Sequence, residues 1–220
     1  MLFSYRTAFD KRAEFEMGIK ERRERERQAT RQGILAGSRH IAQTEGWAAL
    51  TIRKVAEYIE YSPSMVYEYF ASKEDILREL FREGFRQLAD DLRRAARATD
   101  DREERLLHIA DAYWRFAQIN PDLYQVMHSM GGVVLNDTER QIVQEIITIA
   151  QGALEDWAAA SEITLDDPLG ATELVWCVLH GLVSATMVDR IAGGEPRAHQ
   201  LVRRAVQDFL TAWRTPRSAQ

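Results

Sequence analysis

The chain has 220 residues, enough for one large or two modest domains, and a composition of 45% hydrophobic and 29% charged residues suits a soluble protein with a core to bury. A net charge of −5 excludes a polycation, yet residues 1–75 carry 13 Lys/Arg against 12 Asp/Glu and the remainder 16 against 22, so a mildly basic end precedes an acidic body. The single cysteine, Cys177, excludes an intrachain disulfide or a cysteine-based zinc site and points to the reducing cytoplasm.

The first 16 residues are weakly patterned, and residues 1–21 read as a flexible or helical extension. The run KERRERERQATR at 20–31 holds six Lys/Arg and three Glu, which suits either a polyanion contact or a solvated helix face. A helix is predicted over 22–44, with Leu35 and Ala42 on its apolar stripe and Gly46 as its stop. Thr51 caps a helix over 52–59, with Leu50 and Val55 at the staple positions. Ser62 and Pro63 open a helix over 63–69, serine at the N-cap and proline at N1, where its missing N–H costs nothing. Ser72 and Asp75 form a variant capping box for a third start, stapled by Ala71 and Ile76. Val55, Ala56, Ile59, Val66 and Phe70 take the inward positions, which leaves Ser64, Met65, Tyr67, Glu68 and Tyr69 outward. Two short helices joined by the turn EYS and packed on a preceding helix make a helix-turn-helix.

Further helices are predicted at 73–98, 102–119, 121–130, 137–161, 168–192 and 196–214. Asn120-Pro121, Asp167-Pro168 and Glu195-Pro196 mark three starts, and Gly193-Gly194 a stop. Nothing alternates with period two, so the fold class is all-α: a helix-turn-helix domain over 22–72 and a larger helical body over 73–220. The stretch LVWCVLHGLVSATMV at 174–188 is short and polar for a membrane span and reads as a buried helix; no membrane partner is expected. Leu174, Val178, Leu182 and Ala185 around Gly181, and Leu201, Ala205, Phe209 and Trp213 on the next helix, form two apolar stripes. They belong either to the core of one chain or to a four-helix homodimer interface.

The segment TIRKVAEYIEYSPSMVYEYFASKEDIL resembles the DNA-binding domain of the TetR family of bacterial transcriptional regulators. Thr51, Val55-Ala56, Ser62, Val66-Tyr67, Tyr69-Phe70, Lys73-Glu74 and Leu77 meet that pattern in order, and RQGILAGSRHIAQTEGWAAL resembles the family's first helix, so the likeness spans residues 25–80. The family commonly places glycine at the position of Glu60, where a left-handed backbone costs another residue about 1 kcal/mol; either the turn differs here or Tyr61 compensates. Similar members begin near MGIKERRERE, which makes Met17 an alternative start. The resemblance implies that Thr51, Tyr67 and Lys73 contact phosphates and that Arg53 reaches a base. Thr and Tyr hydroxyls and a Lys at a helix start are ordinary phosphate donors, and Arg binds guanine bidentately. Ser62, Ser64, Met65 and Tyr69 complete the DNA-facing set.

The resemblance also implies a homodimer, through helices 168–192 and 196–214, that leaves a palindromic operator when a small-molecule inducer binds the body; activation and corepression stay open. WCVLHG at 176–181 is similar to a Trp-His-Gly signature of one class of the family's C-terminal domains. His180 reads as a ligand contact, a proton sensor or a hydrogen-bonded core histidine. Tyr113, Phe116, Tyr124, Met127, Met130, Trp157 and Trp176 lie on the helices that wall the family's pocket, and they suit an apolar or aromatic effector if they are not simply core. No cofactor or metal is implied. The five histidines form no His-x-x-x-His or Glu-x-x-His pair, and no nucleophile elbow or phosphate loop is present, so an enzyme is not expected. His108 and Asp111 share a helix face as a surface ion pair.

Overall fold

The computed structural model describes residues 3–129 and 135–215, with side-chain environments for residues 18, 20–128 and 135–215. Among the described residues there are nine α-helices and no strand. The chain divides into two compact units, Met1–Arg78 and Glu79–Gln220.

In the first unit α1 runs Phe3–Glu45, so the helix predicted from residue 22 starts 19 residues earlier. Its C-terminal half turns Ile34, Leu35, Ser38, Ile41 and Ala42 inward, and the Ser38 hydroxyl donates to the Ile34 carbonyl (2.8 Å). Gly37 permits the close approach of α2: a Cβ there would lie 2.7 Å from Tyr58 Cδ1 and 3.2 Å from Ile59 Cγ2. Gly46, at φ 83°, ends α1, and a 3-10 turn (Trp47–Ala49) leads to the buried Leu50. α2 (Ile52–Tyr58) is capped by Thr51, whose Oγ1 accepts from the Lys54 N–H (3.2 Å).

The turn after α2 bears out the concern about Glu60, which sits at φ 59°. Tyr61 N–H donates to Ala56 O (2.9 Å) and Glu60 N–H to Glu57 O (3.2 Å), the paired bonds of a Schellman stop. Backbone hydrogen bonds therefore hold the strained residue; Tyr61 is exposed and does not compensate by burial. The same pairing closes α7 at Glu162 (φ 55°) and α8 at Asp189 (φ 52°), each time with an acidic residue in the left-handed position.

α3 is only Pro63–Tyr67, two residues shorter than predicted, and the Ser62 Oγ accepts from the Met65 N–H (3.3 Å). Val66 and Phe70 are buried, which anchors the short helix. α4 (Lys73–Ala96) starts with Ser72 Oγ accepting from Asp75 N–H (3.2 Å), while Asp75 reaches back to Ala71 N–H (3.1 Å) rather than to the cap residue. Ile76 is fully buried but Ala71 is exposed, so the staple does not close. These ties hold the first turn of α4 in the first unit, whose limit falls six residues beyond the 72/73 boundary expected from sequence.

In the second unit α5 (Arg102–Ile119) is the central helix and packs against α6 (Pro121–Ser129), α7 (Asp137–Ala160), α8 (Pro168–Met187) and α9 (Gly194–Arg214). Its buried set, from Leu107 through Tyr113, Trp114 and Phe116 to Ala117, leaves little solvent face. The buried Glu139 completes a capping box with Asn136 at the start of α7 and accepts from Arg82 of α4 (3.1 Å). His108 and Asp111 do not pair. His108 lies 3.3 Å from Glu104 one turn away, and Asp111 turns to α9, where it meets His199 (2.8 Å) and Arg203.

α8 is the helix that departs most from expectation. It is long and apolar enough, by length and composition, to cross a membrane, yet only Ala171, Thr172, Leu179 and Val183 are buried. Leu174, Trp176, Val178 and, just past the helix, Val188 are exposed, so the helix read from sequence as buried shows an apolar stripe to the outside. α8 also stops at Met187, five residues earlier than predicted, at the Asp189 turn.

Glu60→Gly removes the left-handed penalty and is expected to stabilise the protein by up to about 1 kcal/mol, a rise of about 2–4 °C in melting temperature. Differential scanning calorimetry checks it; an unchanged or lower melting temperature would show that Glu60 bears no strain.

Candidate nucleic-acid interface and sensor cavity

The first unit brings most of the DNA-facing set to one region of short helices. Thr51, Arg53, Ser62 and Ser64 are exposed, as is Tyr67 at 56%. The cap hydroxyls of Thr51 and Ser62 accept from backbone N–H groups, which leaves each hydroxyl hydrogen to donate outward. Met65 and Tyr69 are half-buried, so they are shared between the fold and the outer surface. Lys73 is also half-buried and donates to the Trp47 carbonyl (3.1 Å), which fixes its ammonium and leaves two further N–H donors.

Two residues of the basic run were not anticipated as part of this surface. Arg27 lies over the Tyr69 ring (6.0 Å) and Arg31 over the Phe70 ring (5.0 Å), so cations of α1 back the residues at the end of α3. Their spacing of four places both on one face of α1, which was the available signal; their target, some forty residues later, was not.

In the second unit a hydrogen-bonded group of aromatic residues joins α5, α6 and α8. The Tyr113 and Tyr124 hydroxyls are 2.9 Å apart, and the Tyr124 hydroxyl is 2.6 Å from His180 Nδ1. Ser184 Oγ lies 3.5 Å from His180 Nε2. Trp176 stacks on His180 (5.5 Å, 16°), and His128 packs against both Tyr124 (4.4 Å) and His180 (4.5 Å). Burial sets the protonation here. It pushes Tyr113 up to about 12 and Tyr124 higher still, and it lowers His180. Burial, with the neighbouring His180 second, drives His128 down to about 3. The group is therefore uncharged near neutrality. His128 Nε2 is buried without a hydrogen-bond partner among the described residues.

Beside this group lies an apolar cavity of about 70 Å³ between α4, α5, α7, α8 and α9. Of the residues expected to meet a ligand, Tyr113 and Trp176 line the cavity, and Tyr124 and His180 join them through the hydrogen-bonded group. Phe116, Met127 and Trp157 are buried but do not line it: Met127 packs where a Cβ on Gly84 would stand, and Trp157 lies under the Arg214 guanidinium. Met130 lies outside the described residues. His128 and Ser184 were missed, although each follows a recognised residue, Tyr124 or His180, by one helical turn.

A helix-turn-helix head followed by an all-helical body is the architecture of a class of DNA-binding regulators. The model of bacterial regulatory proteins of the tetR family matches residues 34–80, and that of the tetracyclin repressor-like C-terminal domain matches residues 106–209, together more than half of the chain. The chain belongs to the TetR family of transcriptional regulators and is a DNA-binding protein. No curated protein matches it in sequence. Among solved structures, a protein of unknown function from Rhodococcus sp. RHA1 is similar with a TM-score of 0.75 at 19% identity, over 84% of this chain and 95% of that one. The TetR-family regulator PfmR from Thermus thermophilus gives 0.65 at 20% identity, over 81% and 97%. FadR from Bacillus subtilis, solved with stearoyl-CoA, gives 0.66 at 19% identity, over 82% and 97%. At these identities the likeness is one of fold.

The depressed His128 value has a consequence for stability. Between an unfolded pKa of 6.5 and a folded one of about 3, the unfolded chain holds a proton that the folded chain lacks. Stability from this residue is thus present above about pH 6.5 and is lost as the pH falls toward 3. In melts at pH 7 and pH 4.5, His128→Phe is expected to lose less stability on acidification than the parent; parallel losses would show that His128 does not carry this part of the acid limb.

Proposed function

We propose that the protein is a ligand-responsive repressor that works as a homodimer on a palindromic operator and is released by a small-molecule inducer. The observation that carries the ligand-responsive part is the uncharged tyrosine–histidine group beside an apolar cavity in the unit that does not hold the helix-turn-helix. FadR, a fold neighbour, holds stearoyl-CoA in its own structure, in keeping with an effector on this fold. The work is recognition rather than catalysis, in the cytoplasm, where the exposed thiol of Cys177 stays reduced.

The homodimer is supported by α8. Leu174, Val178 and Gly181 are exposed on its outer face, and Leu201, Ala205 and Phe209 of the adjoining α9 are half-buried. A second copy laid on this face by a two-fold axis would cover the same residues on both chains. The two heads would then read half-sites separated by about one helical turn, 10–10.5 bp, or a multiple of it. An inducer that favours a different spacing of the heads weakens operator binding by its differential affinity for the two arrangements.

Capture of genomic fragments followed by footprinting is expected to show two inverted half-sites, and a single unpaired site would count against the palindrome. Lys73→Gln keeps a donor for the Trp47 carbonyl but loses the charge, so the salt slope of operator binding should fall by about one with sequence preference unchanged. A loss confined to certain operator variants would assign Lys73 to base reading. Leu174→Arg is expected to give a monomer in sedimentation with weakened operator binding; a persistent dimer would place the interface elsewhere.

A further inference from the structure

The cavity and the hydrogen-bonded group share two side chains, Tyr113 and Trp176. Leu92, Ile109, Leu154 and Leu179 are among the other walls, and the described lining carries no charged residue. An ionised ligand would lose its hydration here with nothing to replace it, whereas an apolar one would lose little. Size adds a second constraint. Apolar cavities of about 150 Å³ take up benzene, about twice the 70 Å³ present here. A molecule with a six-membered ring is therefore taken in whole only if a wall moves.

Most walls are aliphatic side chains fixed between packed helices. Trp176 is 39% exposed and has room to turn outward, but it stacks on His180. Tyr113 is buried, and its hydroxyl bonds to Tyr124 on α6. Displacing either wall disturbs the chain Tyr113–Tyr124–His180. The other side of α6 leaves no slack: a Cβ on Gly84 of α4 would meet Met127 Sδ at 2.5 Å and Leu123 Cβ at 3.5 Å. We infer that the effector is a small, uncharged, largely apolar molecule that fills this cavity, and that the Tyr113 hydroxyl is the positioning group through which α6 responds to its presence. The inference rests on the effector reading of the second unit.

Toluene, with benzoate and benzylammonium as charged counterparts of similar shape, tests it on the full-length protein. Binding is read by tryptophan fluorescence and calorimetry, and release by fluorescence anisotropy on the captured operator fragment. Toluene is expected to bind at least a hundredfold more tightly than either ion and to weaken operator binding at least tenfold. Ala150→Leu, which fills the cavity, is expected to abolish both effects. Tyr113→Phe keeps the ring that walls the cavity, so the dissociation constant for toluene should change less than threefold while release drops below threefold. Equal binding of benzoate, no toluene binding up to its solubility limit, or full release from Tyr113→Phe would overturn the inference. An unrelated effector that releases Ala150→Leu as readily as the parent would reject this cavity yet uphold the effector reading. Toluene that binds without altering operator affinity would reject the response through Tyr113.

Discussion

A helix of five residues does not persist in water by itself, because the cost of nucleation is recovered only over several turns. α3 exists because both ends and its inner face are tied to something else. The Schellman stop at Glu60 sets the direction in which the chain leaves α2, Ser62 satisfies an N–H of the first turn, and Pro63 arrives with φ already set. Val66 and Phe70 then fasten the helix to the core, and Arg31 covers the outer ring of Phe70. Holding the helix uses up these positions. The side chains that remain, Ser64 and Tyr67 above all, are exposed and so open to a duplex.

Most of these ties span three or four residues, which is why the head was readable from sequence. Caps, proline at N1 and the left-handed residue are local features with local signatures. Lys73 shows where that legibility ends: its partner is the carbonyl of Trp47, 26 residues earlier, and nothing in the neighbourhood of either residue announces the other. The second unit shows the same limit on a larger scale. Its helix starts were marked by proline and Asx caps. Periodicity, however, tells which face of a helix is buried and not what it is buried against. Tyr113 and Phe116, one turn apart on α5, are both buried, but only Tyr113 meets the cavity and a hydroxyl partner.

α8 shows the opposite case, in which composition says more than the fold of one chain uses. A helix that is apolar all round is ordinarily enclosed all round. Here one side is enclosed by α7 and α9, while Leu174 and Val178 face outward. The exposed Glu173, together with the exposed Arg204 and Asp208 on adjoining α9, suits a protein surface with a wet rim better than a lipid one.

α6 is the element on which sensing would turn, for a reason of packing rather than sequence. It is nine residues long, with Leu123, Tyr124, Val126 and Met127 buried on one side and Pro121 and Gln125 exposed on the other. Interiors at protein density transmit a displacement instead of absorbing it. Tyr124 and Met127 share the buried side of α6, and the Met127 side chain stands against Gly84 on α4. Glycine at that point leaves room for the Met127 thioether against α4. The magnitude of any response is still bounded by how much more tightly an effector binds one arrangement of these helices than the other. A cavity smaller than its occupant is one physical source of that difference, since the occupant fits only after the wall has moved.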